Sequence, residues 1–428
     1  MYRRGNEVQR IRLGLHRIEA ILGSFGSPHL KFPALHITGT NGKGSVAAMS
    51  EAILRHAGWK TGLFTSPHLE RIEERICVNR RQVSPRQFAA LVGRVRMKES
   101  SLLRSGTLDM LLTFFEFVTA CAFLYFAERR VDVAVIEVGL GGRLDATNVV
   151  MPRSCVITGV SLDHTDLLGS TVEQIAREKA GIIKPGVPVV SGCSTPAARR
   201  VILEQARRQR APLLEIDRDC VIRVTGKRGG RRVFDLRTPL KKYAGLRLSL
   251  AGLHQVRNAA LAIMAVEASG FRPLRLREVR TALASTSWPG RLDEYRAARR
   301  TLLDGAHNPE SARLLRAHLK SLSARDLHFV FGAMQDKDFA EMGRILFPMG
   351  RTIHLTAVSN PRSASPAALA KAHSRFRSRI RLHFDSSEAL RAAWAESSRN
   401  GLVVVTGSLY LVGELLPFVR RGAQSIRG

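Results

Sequence analysis

"HITGTNGKGS" (residues 36–45) is entered through the apolar "ALHI" (34–37) and left through "VAAMSEAILRHAG" (46–58), so a strand feeds the loop and a helix leaves it. A strict Walker A loop has a glycine five positions before its Gly-Lys pair, and Ile37 stands there instead. What remains is Gly39, Gly42 and Gly44 around Lys43, with Thr40, Asn41 and Ser45 between and behind them. Those residues supply bare backbone N–H groups, one cation and hydroxyls, the parts of a phosphate cradle. A glycine-rich turn without a ligand has the same outline, but the strand before and the helix after favour the phosphate loop. In that reading Lys43 reaches the β and γ phosphates and the Ser45 hydroxyl coordinates Mg²⁺.

Outward from the loop, apolar runs alternate with helical patterns. "VDVAVIEVGL" (131–140) and "SCVITGVSL" (154–162) are expected strands that end in glycine-rich or polar turns, the rhythm of a parallel sheet in an α/β fold. Ligands of such sheets collect at the carboxyl ends of the strands. Residues 221–250 combine β-branched residues, paired glycines and cations, which predicts hairpins at a sheet edge. "TSWPGR" (286–291) marks a boundary, after which "TLLDGA", "LHFVFGAM", "TIHLTAV" and "LVVVTGS" restart the rhythm. At 428 residues the chain is too long for one ordinary core. The expected architecture is α/β throughout: an N-terminal P-loop ATPase domain with a parallel sheet over 1–287, and a smaller C-terminal Rossmann-like domain over 288–428.

Composition narrows the partners. The basic N-terminus is interrupted by Arg10, Arg12, His16, Arg17 and Glu19, so no export signal is read, while Ile11, Leu15, Ile18 and Leu22 recur at helical spacing. "LDMLLTFFEFVTACAFLYFA" (108–127) is long enough to span a bilayer, but Glu116 in its middle favours a buried helix. Five scattered cysteines without a CxxC pair suit a reducing cytoplasm and no structural zinc. The formal charge of +31 raises the possibility of a nucleic-acid-dependent ATPase, yet the cations are dispersed without interleaved aromatics. A solvated, Arg-rich surface is the favoured reading, ahead of electrostatic help in gathering acidic small substrates.

Two further segments place chemistry at strand ends. In "VIEVGLGGRLDATN" (135–148) Glu137 closes an apolar run; it is either a solvated strand-end charge or a Mg²⁺ ligand facing phosphates. "SLDHTDLLG" (161–169) sets Asp163, His164 and Asp166 at the end of another strand. "TVEQIAREKAGIIKPG" (171–186) reads as a helix capped by Thr171 and closed by Pro185-Gly186, with Lys179 on the face of Ile175 and Ile182. Snorkelling to the surface and a functional role are both open for that lysine.

Together with "TSPHLERIEERICVN", "AGLHQVRNAALA", "WPGRLD", "LLDGAHNP", "GAMQDKD" and "VTGSLYLVG", these blocks follow in order over nearly the whole chain. The sequence thereby resembles the folylpolyglutamate synthase and dihydrofolate synthase family of the ATP-dependent Mur-ligase superfamily. Its cell-wall members usually carry an N-terminal nucleotide-holding domain, for which the residues before the loop are too few.

The resemblance implies ATP and two Mg²⁺ ions, with Gly39, Thr40, Asn41, Gly42, Lys43, Gly44 and Ser45 as the phosphate loop. It implies Ser45 and Glu137 as ligands of one Mg²⁺, His164 as ligand of the second, and Lys179 as a carbamylated lysine. Asn258 and Arg291 match nucleotide and phosphate contacts, and Asp304 and His307 match residues near the ribose and the incoming glutamate. Ser66, Pro67, His68, Arg75 and Ser408 match the glutamate and pterin side. Ile72 occupies a place where relatives often carry an aromatic residue, so pterin stacking is not implied there. The expected reaction is ATP-dependent addition of L-glutamate to dihydropteroate, to folates or to both, through an acyl phosphate. The expected protein is a cytoplasmic monomer that binds neither nucleic acid nor membrane.

Overall fold

Eight strands build the sheet that carries the phosphate loop: β1 (Ala34–Thr38), β2 (Thr61–Phe64), β3 (Ile76–Val78), β4 (Arg81–Gln82), β5 (Val133–Glu137), β6 (Pro152–Ile157), β7 (Val189–Ser191) and β8 (Leu213–Glu215). Their order is β4-β3-β2-β5-β1-β6-β7-β8. The six strands from β2 to β8 run parallel, and β3 and β4 add an antiparallel edge. Every residue of β1 and β5 is buried, which is why both read as unbroken apolar runs rather than alternating ones.

This computed structural model describes residues 14–228, 231–322, 324 and 326–424; Ile11 and the glycine pair 229–230 lie outside them. The chain divides into two units, Met1–Ser249 with Gln255–Ser287, and Leu250–His254 with Trp288–Gly428. It therefore enters the second unit briefly at Leu250, returns, and enters it again at Trp288, two residues inside the "TSWPGR" signal.

The apolar segment 108–127 forms a helix only from Phe114, spanning Phe114–Glu128. A reciprocal cap stops it there: the Glu116 backbone N–H donates to Thr113 Oγ1 (3.3 Å), and the Thr113 backbone N–H donates to Glu116 Oε2 (2.7 Å). The same carboxylate pairs with Arg17 Nη2 at 3.0 Å, both side chains being buried, so the charge within the apolar run is matched inside the protein. No helix among the described residues is long and apolar enough to cross a membrane. Thr113→Ala is expected to cost about 1 kcal/mol, read as a lower urea midpoint at unchanged slope. An unmoved midpoint would remove the cap from the account.

Two other segments depart from the reading of the sequence. The helix expected over 171–186 ends at Ala180, because the chain turns at Gly181 to bury Ile182 and Ile183. Residues 221–250 do form antiparallel strands, but as a separate sheet, not at the edge of the main one. It consists of β9 (Val221–Arg228), β10 (Arg231–Arg237) and β11 (Lys242–Leu248) in the order β11-β10-β9. Phe234, Leu236, Tyr243, Leu246 and Leu248 are buried, whereas β9 is an exposed edge bearing Arg223, Lys227 and Arg228.

In the second unit β12 (Asp293–Arg296), β13 (Arg300–Leu303), β14 (Leu327–Phe331), β15 (Thr352–Thr356), β16 (Ile380–His383) and β17 (Leu402–Thr406) are ordered β12-β13-β17-β14-β15-β16. All but β12 run parallel. Phe329, Phe331, Phe347, Leu355 and Val404 anchor its core.

Candidate active site

The register of the first sheet aligns four strand ends. Ile37 pairs with Glu137, Thr38 with Ile157 and Phe64 with Ile136, so the loops leaving β1, β2, β5 and β6 emerge side by side. The loop after β1 is pressed against the one after β6: a Cβ on Gly39, whose φ is +147°, would lie 1.9 Å from Thr158 Oγ1. Thr158 Oγ1 in turn donates to the Asn41 carbonyl at 2.6 Å, which fixes the cradle's outline. Gly42 caps the helix Lys43–His56, whose amino end therefore faces the loop.

Lys43 Nζ curls back across the loop, donating to the carbonyls of Gly39 (2.9 Å) and Thr40 (3.1 Å). Ser45 is buried and its Oγ accepts from Gln255 Nε2 at 3.2 Å, while Asn258 Nδ2 donates to Gln255 Oε1 at 3.0 Å. Gln255 thus joins two anticipated residues, and its place three before Asn258 on one helical face is the signal that would have found it. Glu137 is 4% exposed and accepts from the Ser66 backbone N–H at 3.2 Å, so the solvated strand-end reading does not describe it.

Lys179 is 4% exposed too, which removes the snorkelling alternative. Its Nζ donates at 3.0 Å to the Gly39 carbonyl, the same oxygen that accepts from Lys43. The glycine turn after β5 lets the helix Val172–Ala180 come this close: a Cβ on Gly142 would meet the Glu178 and Lys179 carbonyl oxygens at 2.9 Å. Burial, reinforced by the nearby charge of Lys43, lowers the Lys179 amine to about 7. His164, in left-handed backbone at φ +50°, places Nε2 4.0 Å from Asp163 Oδ1. Asp145 accepts from Leu140 N, Thr147 N and Thr147 Oγ1, and burial raises its carboxyl. It organises the turn after Glu137 and was not singled out in the sequence.

On the remaining side of this unit Arg75 Nε donates to His68 Nδ1 at 2.9 Å, and its guanidinium lies 5.1 Å from the Phe114 ring centroid. Ser66, joined to Pro67 by a cis peptide, and Ile72 are half-buried.

Arg291, Asp304, His307 and Ser408 belong to the second unit. Asp304 is buried past the end of β13, accepting from Leu292 N at 2.9 Å and Ala306 N at 3.0 Å. Burial raises its carboxyl against the opposing charge of Arg291. His307 Nδ1 lies 2.9 Å from the Gly305 carbonyl; a carbonyl only accepts, so the neutral ring keeps its lone pair at Nε2. Ser408, buried beyond β17, accepts from the Tyr410 backbone N–H at 3.1 Å. The anticipated residues thus fall into two sets. In the first unit they lie on the phosphate loop, at the end of β5 and on the segments after β2 and β6, with Lys179 and Asn258 on helices. In the second unit Asp304, His307 and Ser408 lie past β13 and β17, with Arg291 just before β12.

Two family descriptions match the chain: "Mur ligase middle domain" over residues 37–266 and "Mur ligase, glutamate ligase domain" over residues 290–409. The chain is 37% identical to a dihydrofolate synthase/folylpolyglutamate synthase of Bacillus subtilis, over 95% of this chain and 94% of that protein. It is similar to the crystal structure of a folylpolyglutamate synthase of Thermotoga maritima at 37% identity and a TM-score of 0.83, covering 96% of this chain and 94% of that one. A Mycobacterium tuberculosis folylpolyglutamate synthase complexed with ADP and AMPPCP is similar at 35% identity and a TM-score of 0.90, covering 95% and 96%.

Proposed function

The chain belongs to the folylpolyglutamate synthase and dihydrofolate synthase family of ATP-dependent Mur ligases, and from that premise we propose that it joins L-glutamate to both dihydropteroate and reduced folates. The observation that supports this most is the convergence of a glycine-rich loop, Lys43, Ser45 and Glu137 on the aligned carboxyl ends of β1 and β5. A carboxylate is a poor acyl donor, so the reaction has to turn one of its oxygens into a leaving group. In this proposal the pterin substrate's carboxylate attacks the γ-phosphorus of ATP, releasing ADP and forming an acyl phosphate. Lys43 and the loop N–H groups offset the charge on the transferring group. The glutamate amine then attacks the acyl carbon, phosphate departs and the amine gives up a proton. In the second unit, Arg291 and Asp304 are assigned to the nucleotide, and His307 and Ser408 to the amino acid and pterin.

Ser45 and Glu137 are buried oxygen donors beside the loop and suit Mg²⁺, which would neutralise phosphate charge there. Lys179 suits a cation poorly as an amine, but its depressed basicity suits CO₂ addition, and a carbamate has two hard oxygens. Carbamylated Lys179 and His164 would hold a second Mg²⁺.

Purified protein given ATP, Mg²⁺ and labelled glutamate is expected to convert dihydropteroate to dihydrofolate and to extend tetrahydrofolate. Expression is expected to rescue cells lacking dihydrofolate synthase. Rescue confined to polyglutamate-deficient cells would restrict the enzyme to tail extension, and no glutamate incorporation with either pterin would overturn the proposal.

A further inference from the structure

Elsewhere in the second unit's sheet, a file of hydrogen-bonded polar groups crosses three adjacent strands. Asp326 precedes β14, His328 lies on β14, Thr352 and His354 lie on β15, and His383 ends β16. His328 and His354 have no exposed surface. Asp326 Oδ1 lies 2.9 Å from His328 Nε2, and His328 Nδ1 lies 2.7 Å from Thr352 Oγ1. Thr352 Oγ1 is 3.0 Å from His354 Nε2, and His354 Nδ1 is 3.0 Å from His383 Nε2.

Donor and acceptor roles follow from one end. A carboxylate only accepts, so His328 carries a proton on Nε2, and as a neutral ring it accepts at Nδ1 from the Thr352 hydroxyl. That oxygen then accepts from His354 Nε2–H, and His354 Nδ1 accepts from His383 Nε2–H. In this arrangement each imidazole carries one proton and one lone pair. Neutral imidazoles are the form that binds metal.

Glu396, the last residue of the helix Ser386–Glu396, completes the cluster. Its Oε2 stands 4.0 Å from His354 Nε2, and its Oε1 is 3.5 Å from Arg381 Nε. One donor atom from each of His328, His354 and Glu396 lies within 4.8 Å of the other two. We propose that His328 Nδ1, His354 Nε2 and the Glu396 carboxylate form a zinc-type transition-metal site, with the Thr352 hydroxyl or water as fourth ligand.

Two imidazoles and a carboxylate match the ligand preferences of Zn²⁺, whereas Mg²⁺ and Ca²⁺ favour all-oxygen shells. The supporting contacts are present as well. Asp326 orients His328 through its other nitrogen, the usual arrangement for a metal-ligating histidine, and Arg381 steadies Glu396. Binding requires His354 to present the Nε2 lone pair, so its proton moves to Nδ1 and is donated to His383 Nε2. His383, partly exposed, exchanges its own proton to Nδ1 through solvent. The Thr352 hydroxyl hydrogen turns away from His328. No net proton is released.

His328 and Thr352 begin their strands, whereas Asp304, His307 and Ser408 lie past the carboxyl ends of β13 and β17, so the site is separate from the ligase residues of this unit. Its role is to pin β14 and β15 to the helix Ser386–Glu396. A zinc site here runs against the expectation of no structural zinc, which rested on the cysteines and took no account of histidine and carboxylate ligands.

The test uses the full-length protein stripped with chelator and kept in millimolar Mg²⁺, titrated with Zn²⁺ alone by calorimetry and with Co²⁺ alone by visible absorption. One equivalent of Zn²⁺, a four-coordinate Co²⁺ band and a raised Tm are expected. Glu396→Gln, at an exposed position, is expected to weaken that equivalent by about tenfold or more with ligase activity unchanged, and His354→Gln to abolish it. Should the buried His354→Gln fail to fold, ¹H–¹⁵N spectra of the wild-type histidines decide: zinc is expected to move the His354 proton from Nε2 to Nδ1. No zinc uptake by the wild type, equal uptake and affinity in Glu396→Gln, or an unmoved tautomer would each overturn the site.

Discussion

Lys43→Ala is expected to lower glutamate ligation by about a hundred- to a thousandfold while the protein stays folded. The Lys43 ammonium is held over the loop by two backbone carbonyls, Gly39 and Thr40, and has no role in the apolar core. Its loss removes positive charge from the place where charge accumulates during phosphoryl transfer, and removes little from the ground-state fold. Glu137→Ala and His164→Ala are expected to fall in the same range, because each would withdraw a cation from that transfer. The measurement is kcat at saturating ATP, Mg²⁺ and glutamate, with the urea midpoint of each variant alongside. A variant that turns over at a near-normal rate with its metal supply unchanged takes its residue out of the site.

Loss of Lys179 is expected to be comparably severe, and its signature is dependence on CO₂. An unfolded lysine titrates near 10.4, whereas the buried Lys179 amine is held to about 7. Below the lower value the group is protonated in both states and cannot add CO₂. Above it the folded protein holds a neutral amine. The carbamate should therefore appear as pH rises through 7, and the lysine's contribution to stability should rise from there towards its unfolded pKa. With ¹³C-bicarbonate, a carbamate resonance is expected in the wild type and absent in Lys179→Ala. Activity should fall on exhaustive removal of CO₂ and return when bicarbonate is added. An enzyme indifferent to bicarbonate, with no resonance and an active Lys179→Ala, would leave this residue a plain helix side chain.

Much of this architecture was legible because it rests on local signals. β1, β5, β14 and β17 are buried throughout and β13 from Thr301 on, so they show as largely apolar runs ending in Gly, Glu or Asp at the positions where the sheet ends. Lys43 and Ser45 were visible from loop chemistry alone. Lys179 was only half visible: its spacing puts it on the apolar face with Ile175 and Ile182, which fits snorkelling as well as burial, and the packing of its helix on Gly142 is what buries it against Gly39. Gln255 and Asp145 were hidden for a related reason, since each acts on partners supplied by the fold. The start of the helix at Phe114 was readable in the Thr-x-x-Glu pattern, which the length of the apolar run obscured. The separate sheet of β9 to β11 was not readable, because period-two alternation identifies strands but not the sheet they join.

The outer strand of that small sheet bears on how copies of the enzyme behave in a crowded solution. An open β-edge presents unpaired peptide groups, to which a neighbouring molecule's edge can zip. Here Arg223, Lys227 and Arg228 ride on β9, and the whole chain carries +31, so two such edges approaching each other bring like charges together before any peptide groups meet. The excess of arginine is, at this edge, a colloidal guard. Its reach shrinks with the screening length, from about 10 Å in 0.1 M salt to about 3 Å in 1 M.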